Sequence, residues 1–332
     1  MTMLRLARDG DVGLRLRGMR DGMAAVRVAA TGAGLRSGLL RMLQNGPAGT
    51  ADLCGRAGWS DEQLADALLQ VLARTGLVRT AHGQWLLTRR GWALMRDDVA
   101  RASYEGFSDY HTGLYGDIER QLLGGPARRD VVEKGETIAR LSKAMDPFVL
   151  DVLREEVARR APQRVLDVGC GSGSHLVHML RVSPTATGVG VDADPAAARL
   201  ARRTVAEAGL AGRAEIVEGD IRSALDAGGG PVDLALLANV IYYLPVQERV
   251  PLLRAVAERV EPGGAVVIVT TALTDAFFSR HFDLLLRAQD GAMELPDVEV
   301  LAGQLQEAGL VPGRPRRIAP GEPLTAIVAT RG

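Results

Sequence analysis

The sequence predicts an α/β chain, a doubly wound parallel sheet preceded by a smaller, mostly helical unit. Three observations carry this. From Arg164 onward the aliphatic runs RVLDV, TGVGVD, AEIVEG, VDLALLA and AVVIVTT alternate with helical stretches, the pattern of strands joined by crossover helices. The first run ends at the bare turn GCGSG, which leads directly into a helical pattern. The N-terminal third lacks the alternation and reads as helices followed by one short hairpin.

The 332 residues leave room for two domains. Lys+Arg and Asp+Glu balance at 40 each, which argues against partners held by bulk charge, nucleic acid or a membrane surface. Two cysteines, Cys54 and Cys170, fall in different regions, so a disulfide framework is not expected and a reducing cytoplasm fits. No early apolar run suits a signal segment or a membrane span.

In chain order, MTMLRLARDGDVGLRLRGMRDG is mixed and charged and is expected to be a loosely held arm. AAVRVAATGAGLRSGLLRML has helical spacing weakened by Gly32, Gly34 and Gly38. TADLCGRAG is a short helix that Thr50 can cap. In SDEQLADALLQVLARTG, Ser60 and Gln63 read as a capping box, and Leu64, Leu68, Leu69 and Leu72 as one apolar face. LVRTAHGQWLLT reads as a hairpin around His82-Gly83, and RRGWALM closes the unit. Three helices and a hairpin in this order describe a winged helix. Asp61, Glu62 and Asp66 on its candidate recognition helix would repel phosphates, so a platform for self-association is expected instead of DNA binding. Ser103 to Arg160 is mostly helical, with Pro147 placed at a helix start. The expected division is 1–100, an N-terminal winged-helix-like dimerisation domain; 101–160, a helical linker contributing to the substrate pocket; and 161–332, the sheet domain.

Ligands of a doubly wound sheet sit beyond the carboxyl ends of its strands. Gly169, Gly171 and Gly173 stand at that end of the first strand, just after Asp167. Glycines there let the backbone approach a ligand and turn into a helix whose free N–H groups favour an anion. The spacing is G-x-G-x-G, which argues against a nicotinamide-dependent oxidoreductase. The second strand ends at Asp192, followed by Ala193, where a carboxylate can take ribose hydroxyls. The third ends at Gly219 and Asp220, the fourth near Asn239. Asp192 and Asp220 also read as helix caps. His175 and His178 are three apart on the next helix without a third ligand in sight, so no metal is expected.

This ordered set resembles the class I S-adenosylmethionine-dependent methyltransferases, from about Arg164 to the C-terminus. The resemblance implies a Rossmann-like seven-stranded sheet closed by a late antiparallel hairpin, for which GRPRRIAP and PLTAIVAT, split by Gly321, are the segments. It also implies S-adenosylmethionine as cofactor and S-adenosylhomocysteine as product. Asp167 and Gly169 to Gly173 would hold the methionine end, Asp192 the ribose, Gly219, Asp220 and Ile221 the adenine, and Asn239 would lie near the sulfur. The whole layout is similar to the dimeric small-molecule O-methyltransferases of natural-product pathways, in which a winged helix makes the homodimer.

The resemblance breaks at one place. After the fourth strand those relatives commonly carry a catalytic histidine; here the segment is LANVIYYLP, with Tyr242 at that position and Tyr243 after it. Either His111 or His281 is the base, or the acceptor is already anionic and needs none. The scarce aromatic residues bunch around Tyr110 and Tyr115, at Tyr242 and Tyr243, and at Phe277, Phe278 and Phe282. Such walls suit an organic acceptor, and equally an interdomain core. Tyr110, Tyr115, Tyr243, Phe278 and Arg280 are the candidate substrate contacts, with Tyr242 orienting the acceptor. The expectation is methyl transfer to a small molecule or short peptide, on a carboxylate or hydroxyl oxygen. N- or C-methylation, an oxidoreductase and a cofactor-sensing DNA-binding regulator are the alternatives.

Overall fold

The computed structural model describes residues 11–219 and 230–332. Within them the chain forms two compact units, one of residues up to Gly125 with Asp130–Ala144, the other of Pro126–Arg129 with Met145–Gly332.

The first unit begins with helix α1 (Val12–Arg36), then α2 (Leu39–Gln44), α3 (Thr50–Ala57) and α4 (Glu62–Arg74). Strands β1 (Val78–Ala81) and β2 (Gln84–Leu87) pair antiparallel and lead into α5 (Arg89–Arg96). Three local expectations change. The segment expected as a loose arm is helical from Val12, capped by Asp11, whose side chain accepts from the Leu14 amide at 3.0 Å. Two of the glycines that weaken the pattern of α1 mark contacts: a Cβ on Gly32 would collide with Ser108, and one on Gly34 would lie 3.0 Å from Leu72 Cδ1. The cap of α4 is Asp61, accepting from the Leu64 amide at 2.9 Å, in place of Ser60. This start leaves Leu64 68% exposed while Ala65, Leu69 and Leu72 are buried. Similarly, α3 starts at Thr50 with Gly49 as its cap residue; the Thr50 hydroxyl accepts from Trp85 Nε1 and faces Asp66 instead.

Helix α6 (Asp98–Gly106) then runs through a π-helical turn (Phe107–His111) into α7 (Thr112–Leu122). Helices α8 (Asp130–Glu133) and α9 (Gly135–Ser142) complete the unit, with Arg140 of α9 bound to Asp98 and Glu105 of α6.

The second unit opens with α10 (Asp146–Arg160). Then follow β3 (Arg164–Val168), α11 (Ser174–Val182), β4 (Thr187–Asp192), α12 (Pro195–Glu207), β5 (Ala214–Glu218), β6 (Val232–Ala238), α13 (Val246–Arg259), β7 (Val260–Thr271), α14 (Phe277–Arg287), α15 (Val298–Glu307), β8 (Leu310–Pro312), β9 (Arg316–Arg317) and β10 (Leu324–Arg331). Every aliphatic run singled out in the sequence is a strand here. The sheet order is β5-β4-β3-β6-β7-β10-β8, with β9 paired to β10. Strands β5 to β7 in this order are parallel; β10 runs antiparallel to β7, β8 and β9. Seven strands thus form the main path. The closing hairpin around Gly321 exists only as the two-residue β9 against β10; the edge partner is Leu310–Pro312, a strand too short to show a pattern.

The runs are continuously aliphatic because both faces are covered. Leu166, Val168, Ala235 and Leu237 pack with Leu252 and Val256 of α13 and Leu301 and Leu305 of α15. Val165, Leu234 and Leu236 pack with Val149 and Leu153 of α10 and Leu176 and Leu180 of α11. The chain runs outward from β3 to β5, then crosses back to lay β6 on the other side of β3. Strand order reverses there, and a crevice opens at the carboxyl ends of β3 and β6. Among the described residues no helix is long and apolar enough to cross a membrane.

Candidate cofactor and acceptor site

The glycine turn lies at this reversal and is held by backbone geometry. The Gly169 and Cys170 amides both donate to the Val191 carbonyl, at 2.8 and 3.0 Å, and the Gly173 amide to the Cys170 carbonyl at 2.8 Å. Gly169 has φ +69°, and a Cβ there would stand 2.5 Å from Val240 Cγ2. Gly173 has φ +76° and abuts Ala201 of α12. Both positions exclude a side chain for conformation and for space. At Gly171, φ is +52° and a Cβ would meet nothing within 4 Å. The backbone there borders open space, which is what a ligand-approaching turn requires.

Asp192 ends β4 and closes the turn. Its Oδ2 accepts from the Gly171 amide at 2.8 Å and its Oδ1 from the Asp194 amide at 2.9 Å. The helix cap that sequence left open for Asp192 belongs to Asp194, which accepts from the Ala196 amide at 2.8 Å. Ala193 between them is exposed. Gly219 donates to the Asp192 carbonyl at 3.0 Å, placing the end of β5 beside the same residue. Asp220 and Ile221 lie outside the described residues. Asn239, beyond β6, holds a left-handed φ of +58° with its amide on the Val269 carbonyl at 2.8 Å, a conformation asparagine tolerates better than most residues.

Asp167 is the buried acid of the site, 1% exposed. Burial raises its carboxyl to about 6; His175 opposes this, Asp192 adds to it, and the Leu176 amide opposes it by a hydrogen bond. Its Oδ2 has no hydrogen-bond partner among the described residues. A buried carboxylate oxygen left unpaired beside an open glycine turn fits a cationic ligand group. The residues present therefore suit a zwitterionic amino-acid end, with a second acid, Asp192, at the neighbouring strand tip. Cys170 is buried against the backbone of Gly190, and burial pushes its thiol far up, so it fills space.

The sequence singled out His175 and His178 as a spaced pair, but they do not act together. His175 Nε2 lies 3.2 Å from Asp146 Oδ1, and His178 donates to the Leu150 carbonyl. Asp146 escaped the sequence reading; Pro147 marked the helix start, and nothing in the pattern tied that start to α11. Among the described residues no group of three or more His, Cys, Asp or Glu side chains is arranged for a metal.

A second cluster stands after β6 and β7. Tyr242 is buried in the short turn Ile241–Tyr243 and packs edge-on to Tyr243 at 4.7 Å and to Phe282 at 5.4 Å between ring centroids. Phe282 stacks with Phe278 at 6.0 Å, and His281 lies between Phe277 and Phe278 at 6.3 and 6.4 Å. Burial lowers His281, keeping it a neutral imidazole near pH 7. Burial also raises the Tyr243 hydroxyl, against a hydrogen bond with Tyr242. Phe277 is 84% exposed. Arg280 is on the surface, paired with Asp275 at 2.7 Å. A residue the sequence did not flag anchors this region. Arg249, 2% exposed, donates to the Leu244 carbonyl at 3.3 Å and the Glu294 carbonyl at 2.6 Å, tying the tyrosine turn to the segment bearing Leu295.

Tyr110, His111 and Tyr115 belong to the first unit. His111 is buried, stacked on Phe107 at 4.4 Å and edge-on to Tyr110 at 5.1 Å; Tyr115 is exposed.

A Rossmann-like sheet with a glycine turn at its reversal, a buried acid before it and a second acid at the neighbouring strand tip defines the cofactor-binding domain of a class I methyltransferase. Residues 165–264 match the family model of a methyltransferase domain, and the chain is a class I S-adenosylmethionine-dependent methyltransferase, an enzyme whose cofactor is S-adenosylmethionine. Over nearly its whole length it is similar to 2,7-dihydroxy-5-methyl-1-naphthoate 7-O-methyltransferase of Streptomyces carzinostaticus, 27% identical with 90% of this chain and 92% of that protein aligned. Aclacinomycin 10-hydroxylase of Streptomyces purpurascens is 34% identical over 150 residues, and the match spans 43% of this chain and 39% of that protein's length. The solved structure of the mitomycin 7-O-methyltransferase shares the fold, with a TM-score of 0.75, 20% identity and full coverage of both chains.

Proposed function

We propose that the enzyme methylates an oxygen, hydroxyl or carboxylate, of a small organic molecule or short peptide in natural-product biosynthesis. The observation that carries this is the end-to-end similarity to the naphthoate O-methyltransferase. The aromatic wall of Tyr242, Tyr243, Phe278 and Phe282 supports it.

When bound, the cofactor supplies an electrophilic methyl group. The chain's residues orient the partners and exclude water. In this reading Asp192 takes the ribose hydroxyls with the lone pairs its backbone bonds leave free. Gly169, Gly171 and Gly173 give the methionine end access to backbone amides, and Asp167 takes its ammonium. Gly219, Asp220 and Ile221 border the adenine, and Asn239 lies near the sulfur. His281 is the base where the acceptor is a phenol or alcohol, since its neutral imidazole can take a proton. Tyr242 orients the acceptor, and Tyr243, its hydroxyl raised, stays a neutral donor. His111, Tyr110, Tyr115 and Arg280 remain candidates for base and acceptor contacts. Residues 1–100 are read as the dimerisation part of the first unit, 101–160 as the linker, whose last helix, α10, belongs to the second unit, and 161–332 as the catalytic domain. Exposed Leu14, Leu16, Met19, Met23 and Val26 on α1 supply an apolar surface for the homodimer. The acidic start of α4 supports a role without nucleic acid, and the reading places the enzyme in the cytoplasm without membrane attachment.

Incubation with isotopically methyl-labelled S-adenosylmethionine and a panel of phenols, carboxylic acids and short peptides tests this. A product with the labelled methyl on oxygen supports it. Label on nitrogen or carbon, or a product that gains oxygen instead, as the hydroxylase relative would suggest, overturns it.

A further inference from the structure

The amino-acid end of the site holds a charge arrangement that the glycine turn does not explain. On β3, Asp167 shares its face with Val165, which packs under α10 and α11. The Leu176 amide, in the first turn of α11, donates to Asp167, and the residue before it, His175, meets Asp146, the first residue of α10, at 3.2 Å. A histidine in a helix's first turn is ordinarily discouraged from carrying a proton by the positive end of the helix dipole. Two carboxylates, Asp146 and Asp167, act on this one and raise it against its burial. The other titratable and charged groups around the corner are Asp192 from β4, the Cys170 thiol, and His178 with Asp151 and Arg154 beside it.

We propose that Asp146 and His175 are a positioning pair that keeps Asp167 ionised, so that it is ready for the ammonium of the cofactor's amino-acid end. The inference rests on the reading that Asp167 faces that group. Each of the two acids then faces an opposite charge, Asp146 the imidazolium and Asp167 the incoming ammonium, as a buried carboxylate requires. Asp146 holds the imidazole at Nε2, 3.2 Å away. No proton transfer to the cofactor is involved; the pair acts through Asp167 alone.

The test is calorimetric binding of S-adenosylhomocysteine from pH 5 to 7, where the ligand's ammonium stays charged, with Tm recorded for each variant. The wild type is expected to lose affinity as pH falls through about 6. His175→Gln should move this midpoint upward by on the order of one pH unit. Asp146→Asn should move it the same way, and the double variant no further than His175→Gln alone. Asp146 stands on α10, outside both the glycine turn and α11, so its variant keeps the test open if His175→Gln folds poorly. A wild-type midpoint in both single variants, or additive shifts in the double, overturns the proposal. Asp167→Asn separates the two levels. If it binds with wild-type affinity and pH profile, the reading of Asp167 itself fails and the proposal falls with it.

Discussion

Asp192 Oδ2 accepts a 2.8 Å hydrogen bond from the Gly171 amide, so the tip of β4 fixes the middle of the glycine turn. The residue proposed to hold the ribose therefore also shapes the backbone beside it. Asp192→Ala is expected to weaken S-adenosylhomocysteine binding by about tenfold to a hundredfold, the loss of charge-assisted bonds worth about 1.5–3 kcal/mol. Calorimetry reads this directly, and unchanged affinity would remove Asp192 from the site.

Asp167 sets stability against binding. A carboxyl raised from 3.8 to about 6 by burial favours the folded state while protonated. That contribution is complete below pH 3.8, shrinks as the unfolded chain ionises first, and is gone above about 6. At pH 7.5 the ligand-free protein thus carries a strained ionised acid, and Asp167→Asn should stabilise it by at most ~3 kcal/mol. The same variant should lose most of the thermal stabilisation that S-adenosylhomocysteine gives the wild type. Melting curves with and without ligand at pH 4.5 and 7.5 check both signs; the stability gain of the variant should fade at the lower pH.

Arg249→Met removes the donors that tie the Leu244 carbonyl to the Glu294 carbonyl in a buried place. Two orphaned carbonyls predict a loss of about 2–4 kcal/mol, read as a lower urea midpoint by circular dichroism. Because the Tyr242 turn loses its anchor while the glycine turn does not, KM for the acceptor should rise with cofactor affinity nearly unchanged. Equal losses in both would show that Arg249 supports the whole domain.

The apolar residues along α1 predict the assembly. Met19→Glu with Met23→Glu places charge among Leu16, Val26 and their neighbours, all exposed in the single chain. Sedimentation should show a dimer for the wild type and a monomer for the double variant. A double variant that still sediments as the dimer would place the interface elsewhere.

The strands and the glycine turn were legible because their signals are local. An aliphatic run buried on both faces and a turn with φ values only glycine adopts easily leave plain marks in sequence. The helix start at Val12 was obscured because its residues are mixed and charged, whereas the Asp11 side chain caps it on the Leu14 amide; further along the same helix, Gly34 answers to the close approach of Leu72, far along the chain. Leu310–Pro312 was missed because three residues form no period. The Asp146–His175 pair and the Arg249 anchor join residues 29 and 45 apart, with polar atoms whose partners only tertiary structure selects. Residues at strand ends could be located in the fold from the pattern; contacts set by helix packing could not.

The identity of the base separates the acceptor classes. Tyr242 is buried beside Tyr243 and Phe282, and a tyrosine, with an ordinary pKa near ~10, is a poor base at neutral pH. Tyr242→Phe is therefore expected to cost about tenfold or less in kcat, the loss of one orienting hydrogen bond. His281 is lowered from 6.5 by burial. If it is the base, kcat/KM should fall as pH drops through a value below 6.5, where the imidazole takes its proton before the acceptor can give one up. His281→Ala should then cost about a hundredfold or more on a phenol or alcohol and remove that acid limb. On a carboxylate, already ionised, the same substitution should leave the rate within about tenfold, and the limb should be absent in the wild type as well. His111→Ala is the control for the other candidate, and it should be tolerated on both acceptor classes apart from any loss of Tm. A collapse in Tyr242→Phe with S-adenosylhomocysteine affinity preserved, together with a rate that rises toward alkaline pH, would make Tyr242 the base and displace His281.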